Sequence, residues 1–286
     1  MRRKKTLKEL TIRDNFMFGA VMSDTNNCRR LLELILDFPI ERVEVSKERS
    51  IVYRPEYKGV RLDVYAQDEN NTHYNVEMQA VSDPAIQKRT RYYHSQIDME
   101  LLLSGTAYTE LPDSYVIFIC DFDPFGQKKY LYEVESFCKN APEALAADGN
   151  HSIYLNTRGE NREEVSQALV RFLEFVKADL DDSMKDYGDE FVRSLQKSVK
   201  AVKESREMEG RYMLFEELLR EERAEGKEEG RAEGIIEVLL SILEDLGEIS
   251  GELEGKIREE TDPEIIKEWC RIAAKCESIP DFISQM

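Results

Sequence analysis

The chain has 286 residues with a formal net charge of −18; 41% are hydrophobic and 34% charged, enough apolar material for a packed core in one large or two modest domains, which excludes wholesale disorder. No apolar run approaches the ~20 residues of a membrane span, and the basic start Met1-Arg2-Arg3-Lys4-Lys5 has no apolar stretch behind it, so neither a membrane anchor nor a secretory signal is expected and a cytoplasmic location is. The five cysteines (Cys28, Cys120, Cys138, Cys270, Cys276) form no C-x-x-C pair and read as reduced thiols rather than a disulfide or zinc framework. The charge is unevenly spread: residues 1–100 carry 17 basic and 16 acidic side chains, and the other 186 carry 23 basic and 42 acidic. The near-neutral first part can meet a polyanion; the acidic remainder is poorly suited to it.

In chain order, apolar residues at helical spacing predict two short helices between Asp14 and Phe38, broken at Ser23-Asp24-Thr25-Asn26-Asn27 and ended before Pro39. From Val43 the period changes to two. Val43–Val45 and Ile51–Tyr53 read as strand pieces, followed by clearer strands over Val60–Gln67 and His73–Ala80 joined by the turn Asp68-Glu69-Asn70-Asn71, an antiparallel hairpin with one apolar face. Ser82-Asp83-Pro84 starts a helix that runs to about Leu103 and stops at Gly105. Ser114–Phe122 reads as a strand buried on both faces, with further short strands at Tyr130–Phe137 and Ser152–Leu155, then an amphipathic helix over Glu163–Leu180. Beyond Leu180 the sequence is charged, helical and strand-free, which places a boundary there: residues 1–180 and a helical region, 181–286. Within the latter, Gly226, Gly230 and Gly234 recur every fourth position among Glu, Lys and Arg. Each costs a helix ~1 kcal/mol against Ala. The segment is either a solvated charged helix or a self-association surface.

The hairpin carries the chemistry. Alternation puts Arg61, Asp63, Tyr65 and Gln67 on one side of the first strand and His73, Asn75, Glu77 and Gln79 on one side of the second. With the turn centred near Asn70, Asp63 falls opposite Glu77. Facing carboxylates repel, burial raises the cost and pushes a pKa up, and a hard divalent cation relieves it. Gln79, on the same side, can orient a water or a phosphate oxygen. An acid followed by an acid-x-polar triplet on the next strand suits metal-assisted phosphodiester hydrolysis. A sheet with one wet face shows the same alternation, so this reading stands beside the first. A lone histidine at the turn, His73, is expected to be exposed.

Several motifs together resemble the PD-(D/E)XK nuclease superfamily, and within it the recombination-promoting nuclease (Rpn)/transposase-like family: Asp14-Asn15-Phe16 with Phe18, Arg61-Leu62-Asp63-Val64, Asn75-Val76-Glu77-Met78-Gln79, Lys88-Arg89-Thr90-Arg91-Tyr92-Tyr93, Asp121-Phe122-Asp123-Pro124-Phe125, Leu155-Asn156-Thr157 and the Glu-Gly repeat. The resemblance spans about residues 11–235. It implies an α/β fold with an αβββαβ core, a mixed sheet flanked by helices, and an all-α C-terminal region. It also implies Asp63 and Glu77 as ligands of Mg²⁺ (or Mn²⁺), and Gln79 in the position usually held by lysine. Gln can hydrogen-bond but carries no charge, so the missing cation is sought on the following helix: Lys88, Arg89 or Arg91. Arg89 and Tyr92, one turn apart, are read as facing the site, with Tyr92 or Tyr93 in the core as the alternative. Glu33, and more weakly Asp14, are candidate further carboxylates, and His94 a candidate base. The implied function is a metal-dependent DNA endonuclease of recombination, mobile-element or foreign-DNA processes. Phosphate contacts are expected from Arg2–Lys5, Arg29, Arg30, Arg61 and Lys88–Arg91, and the helical tail is the expected homo-oligomer contact. The alternative is a weakened or inactive nuclease fold that tethers DNA or assembles.

Overall fold

A computed structural model describes residues 5–51, 60–145 and 147–286. Arg2, Arg3 and Lys4 of the expected phosphate contacts, and Val52 and Tyr53 of the second strand piece, lie outside them.

The two expected early helices form as α1 (Asn15–Met22) and α2 (Thr25–Leu36), parted where the Asp24 carboxylate accepts from the Asn27 N–H and caps α2. The strand material that follows is one strand, β1 (Val43–Ile51), rather than two pieces. β2 (Val60–Asp68), β3 (His73–Gln79), α3 (Ile86–Leu101) and β4 (Ser114–Cys120) complete an αβββαβ order. The expected strand at Tyr130–Phe137 divides between two sheets: β5 (Leu131–Val134) joins the main one, while β6 (Phe137–Cys138) pairs with β7 (Ala141–Leu145). β8 (Asn150–Asn156) returns to the main sheet, whose order is β1-β2-β3-β4-β8-β5. Its first three strands are antiparallel, β3, β4 and β8 are parallel, and β5 is antiparallel to β8. α4 (Gln167–Lys177), capped by Ser166, and α5 (Glu190–Glu204), capped by Asp189, follow.

The hairpin register is set by its turn. Asp68 Oδ1 accepts from the N–H groups of Asn70 and Thr72, its Oδ2 accepts from the Tyr74 hydroxyl at 2.7 Å, and Asn71 takes the left-handed φ of 63° that lets the chain reverse. Tyr65 then pairs with Asn75 and Val64 with Val76. Asp68→Ala strands a buried hydroxyl and two turn N–H groups. The expected loss is about 2 kcal/mol in urea unfolding, and an unchanged midpoint would contradict this account of the register.

The polar side of the hairpin is buried over Tyr65, His73, Asn75 and Glu77, with Arg61 exposed and Gln67 and Gln79 half-buried. α3 covers the polar side, where Tyr65, Ile86, Tyr93, Ile97, Val116, Phe118 and Tyr154 belong to one core cluster. His73, Asn75 and Glu77 are at most 3% exposed. The alternative of a wet polar face thus does not hold over these residues, and the expectation of an exposed His73 is corrected: its Nδ1 lies 2.7 Å from the Tyr65 hydroxyl.

The chain forms two compact units, residues 1–209 and 210–286. The division falls some thirty residues beyond the expected boundary at 180, because α5 packs on α1, α2 and α4: Asn27 Nδ2 donates to Ser198, Arg30 to Ser194, and Phe172 stacks on Phe191. The helix α6 (Arg206–Leu246) runs unbroken through the glycine repeat, which lies within the second unit. There its later residues pack with α7 (Gly251–Glu259), α8 (Pro263–Ala273) and α9 (Ile279–Gln285) around Leu239, Leu243, Ile257, Ile266 and Phe282. A Cβ placed on Gly230 or Gly234 would meet nothing within 4 Å, so no helix among the described residues packs there. No described helix is long and apolar enough to cross a membrane.

Candidate active site

Past the Val64–Val76 pair the β2–β3 ladder stops, and two carboxylates take its place. The Asp63 N–H donates to Glu77 Oε1 (3.0 Å), and the Met78 N–H donates to Asp63 Oδ2 (3.1 Å). β3 stays paired with β4 throughout. The two acids therefore meet in a wedge between strands that are still held elsewhere. Glu77 is buried and Asp63 half-buried.

α3 supplies the cation. Arg89 spreads its guanidinium over three acceptors: Nη2 donates to Glu77 Oε2 (3.0 Å), Nη1 to Gln79 Oε1 (2.9 Å) and Nε to the Tyr93 hydroxyl (2.8 Å), with the group about 5 Å from the Tyr93 and Phe118 ring centres. Of the expected cations, Arg89 faces the pair; Lys88 and Arg91 are exposed. The tyrosine it meets is Tyr93, because i and i+4 lie on one helical face. Tyr92 packs half-buried against the core cluster. Gln79 donates its Nε2 to the Val81 carbonyl (2.7 Å) and offers its oxygen to Arg89, so it holds the arginine rather than presenting a free amide.

α1 contributes Asn15, whose Nδ2 donates to Asp63 Oδ2 (3.3 Å). Asn15 lay inside a motif of the sequence but had no assigned role; its signal was only its place beside Asp14. Asp14 itself turns away, accepting from the Thr11 N–H (2.7 Å) and Lys5 (2.7 Å). Glu33 is engaged by Arg29 (2.7 Å) and the Ile40 N–H (3.1 Å), closing the turn from α2 to β1. Arg29 pairs with Glu33, and Arg30 donates to Ser194 and lies over the face of Phe191. His94 is buried between Ser114 and Ser152 near the opposite ends of the strands, and burial holds its imidazole down at about 4.

Burial raises the carboxyl of Glu77 well above the ordinary range, and the neighbouring Asp63 raises it further; burial also raises Asp63, against the Met78 N–H and Arg89. The folded protein therefore keeps protons on this pair where the unfolded chain has lost them. As pH rises from the ordinary carboxylate range through neutrality, folding stability falls by up to about 1.4 kcal/mol per pH unit for each retained proton. Urea unfolding in EDTA at pH 5 and pH 8 reads this, and Asp63→Asn is expected to flatten the fall.

Among the described residues no group of three or more His, Cys, Asp or Glu side chains is placed to hold a metal. The pair itself fits a hard divalent cation. Its donors are carboxylate oxygens, Mg²⁺ needs only one or two of these beside water and substrate, and Asp63 Oδ1 carries no hydrogen bond among the described residues.

The family described as PD-(D/E)XK nuclease family transposase matches residues 15–225. The chain belongs to this family. Its mixed sheet flanked by helices is the PD-(D/E)XK α/β fold. The match takes in Asn15, both acids, Gln79 and Arg89. No curated protein and no solved structure matches the chain.

Proposed function

We propose that this member is a divalent-metal-dependent DNA endonuclease that hydrolyses phosphodiester bonds in recombination, mobile-element or foreign-DNA processes. The observation that carries the reading is the wedge: two carboxylates held together at the end of the hairpin ladder, one buried and both pushed up, beside a partly exposed arginine. Asp63 and Glu77 would hold Mg²⁺ or Mn²⁺, which when bound supplies Lewis-acid polarisation and a nucleophilic water at neutral pH. The protein's own groups do the rest. The Asp63 N–H and Arg89 fix Glu77. Asn15 and the Met78 N–H fix Asp63 and leave Oδ1 open. Arg89 spends three of its five N–H donors on Tyr93, Gln79 and Glu77, with Nη1 also 4.0 Å from Asp83 Oδ2, and its charge would stabilise charge developing on a bound phosphate. Gln79 is a positioning residue for Arg89.

That neutral residue favours a second reading, in which the fold binds DNA and cuts weakly or not at all. Plasmid nicking by the full chain with Mg²⁺ and with EDTA separates the two. Cleavage only with the metal supports the nuclease; retention of DNA by folded protein without cleavage supports the tether.

A further inference from the structure

At the ends of β4 and β8, one strand over from the acid pair, lies a second charged cluster. The Asp121 N–H donates to the Gln79 carbonyl (3.0 Å), which places Asp121 directly beside the strand that carries Glu77. Its carboxylate is nine-tenths buried. Oδ2 accepts from Arg13 Nη1 (2.8 Å) and Oδ1 from the Thr157 hydroxyl (2.9 Å). Arg158 lies over the same group, with Nη2 3.6 Å from Oδ1 and Nε donating to the Asp121 carbonyl (2.8 Å).

A buried carboxylate needs one cation; this one has two. The cluster keeps a net charge of +1 in a chain of −18. Arg13 is 31% and Arg158 56% exposed, and Arg13 Nε and Nη2 and Arg158 Nη1 bond to nothing among the described residues. Other arginines differ: Arg162 is spent on Glu174 and Arg171 on the Gly188 carbonyl. The backbone behind Arg158 is also pinned. Its N–H donates to Asn156 Oδ1 (2.8 Å), and at the next residue a Cβ on Gly159 would lie 2.6 Å from the Tyr130 nitrogen, so only glycine fits. Two guanidinium forks are thus set rigidly at the C-terminal edge of the parallel strands, the edge where open α/β sheets bind ligands.

We infer that Arg13 and Arg158, seated on Asp121, form a second phosphate subsite that grips the DNA backbone at a phosphate flanking the scissile one. The inference rests on the proposed action on DNA. The ligand is a phosphodiester, a monoanion with two free oxygens that suits a guanidinium fork. The subsite positions the strand without reading its bases.

The test is fluorescence anisotropy of a labelled 20-base-pair duplex with the full chain in EDTA, across a KCl series. Arg158→Ala is expected to weaken binding about three- to tenfold and to lower the slope of log K against log salt by about 0.9. Arg13→Ala should do the same, and Arg158→Lys should keep the slope. Arg162→Ala, whose partner is the surface Glu174, should match wild type. If Arg13→Ala unfolds because Asp121 is uncovered, Arg158→Ala and Arg158→Glu carry the test, since that side chain is mostly exposed. Wild-type slopes in folded Arg158 variants, or no DNA binding by wild type, overturn the subsite. Reduced slopes in a protein that never cleaves uphold it and remove the nuclease reading. Cleavage with unchanged slopes does the reverse.

Discussion

Asp63→Asn is expected to fold and to lose DNA cleavage by about 100- to 1,000-fold, the scale set by removing a group that stabilises developing charge. The substitution is clean. The two N–H groups that now meet Oδ2, from Met78 and Asn15, can keep an oxygen acceptor, and the new amide nitrogen falls at Oδ1, which carries no hydrogen bond among the described residues. What disappears is the charge and the open lone pairs. Binding of Mn²⁺ by calorimetry should be lost with them, and stability in EDTA at pH 8 should rise, because Glu77 then ionises without a like charge opposite. Glu77→Gln is expected to be as inactive but less stable. Its two oxygens accept from the Asp63 N–H and from Arg89, and an amide sets a donor against one of them. An Asp63→Asn protein that nicks plasmid at the wild-type rate would sink the proposed chemistry.

Arg89 should separate stability from catalysis. Arg89→Ala leaves Glu77, Gln79 Oε1 and the Tyr93 hydroxyl without their donor and removes cover from the Phe118 ring. The expected cost is about 2–4 kcal/mol, moderated because Glu77 can take up a proton. In a unit of this size that lowers the melting midpoint by roughly 5–10 °C. Arg89→Lys keeps the charge and much of the stability but loses the planar fork that reaches three acceptors and still faces solvent. Its kcat is expected to fall about 100-fold with the melting midpoint near wild type. Full kcat in Arg89→Lys would show that a point charge suffices and that the fork is structural.

The hairpin was legible because it is local. Alternation over Val60–Gln67 and His73–Ala80, with a turn rich in Asp and Asn, sets which side chains share a side and which residues face each other, and the observed register agrees. The Glu77 carboxylate meets the Asp63 N–H, and the Asp63 carboxylate meets the N–H of Met78, the residue after Glu77. α3 was legible as a helix after the hairpin, although it begins at Ile86 with Ala85 as N-cap rather than at Pro84, and Arg89 was legible from its place one helix after the acids. Tyr92 against Tyr93 could not be decided the same way, because adjacent residues differ by about 100° around a helix and only the packing of α3 on the sheet chooses between them.

The sequence alone determined the order of elements from α1 to β4, the partners within the hairpin, and the near-neutral first part joined to an acidic helical region. Those follow from periodicity, turn residues and charge, which act over a few residues. Only the tertiary structure decided that the polar side of the hairpin lies under a helix, that Asn15 reaches Asp63, that Glu33 and Asp14 are spent elsewhere, and that Arg13, Asp121 and Arg158 meet although 108 and 37 residues separate their bonded pairs. Contacts between segments so far apart in the chain depend on how the sheet orders its strands and on which helix lands on which side, and no local pattern carries that information.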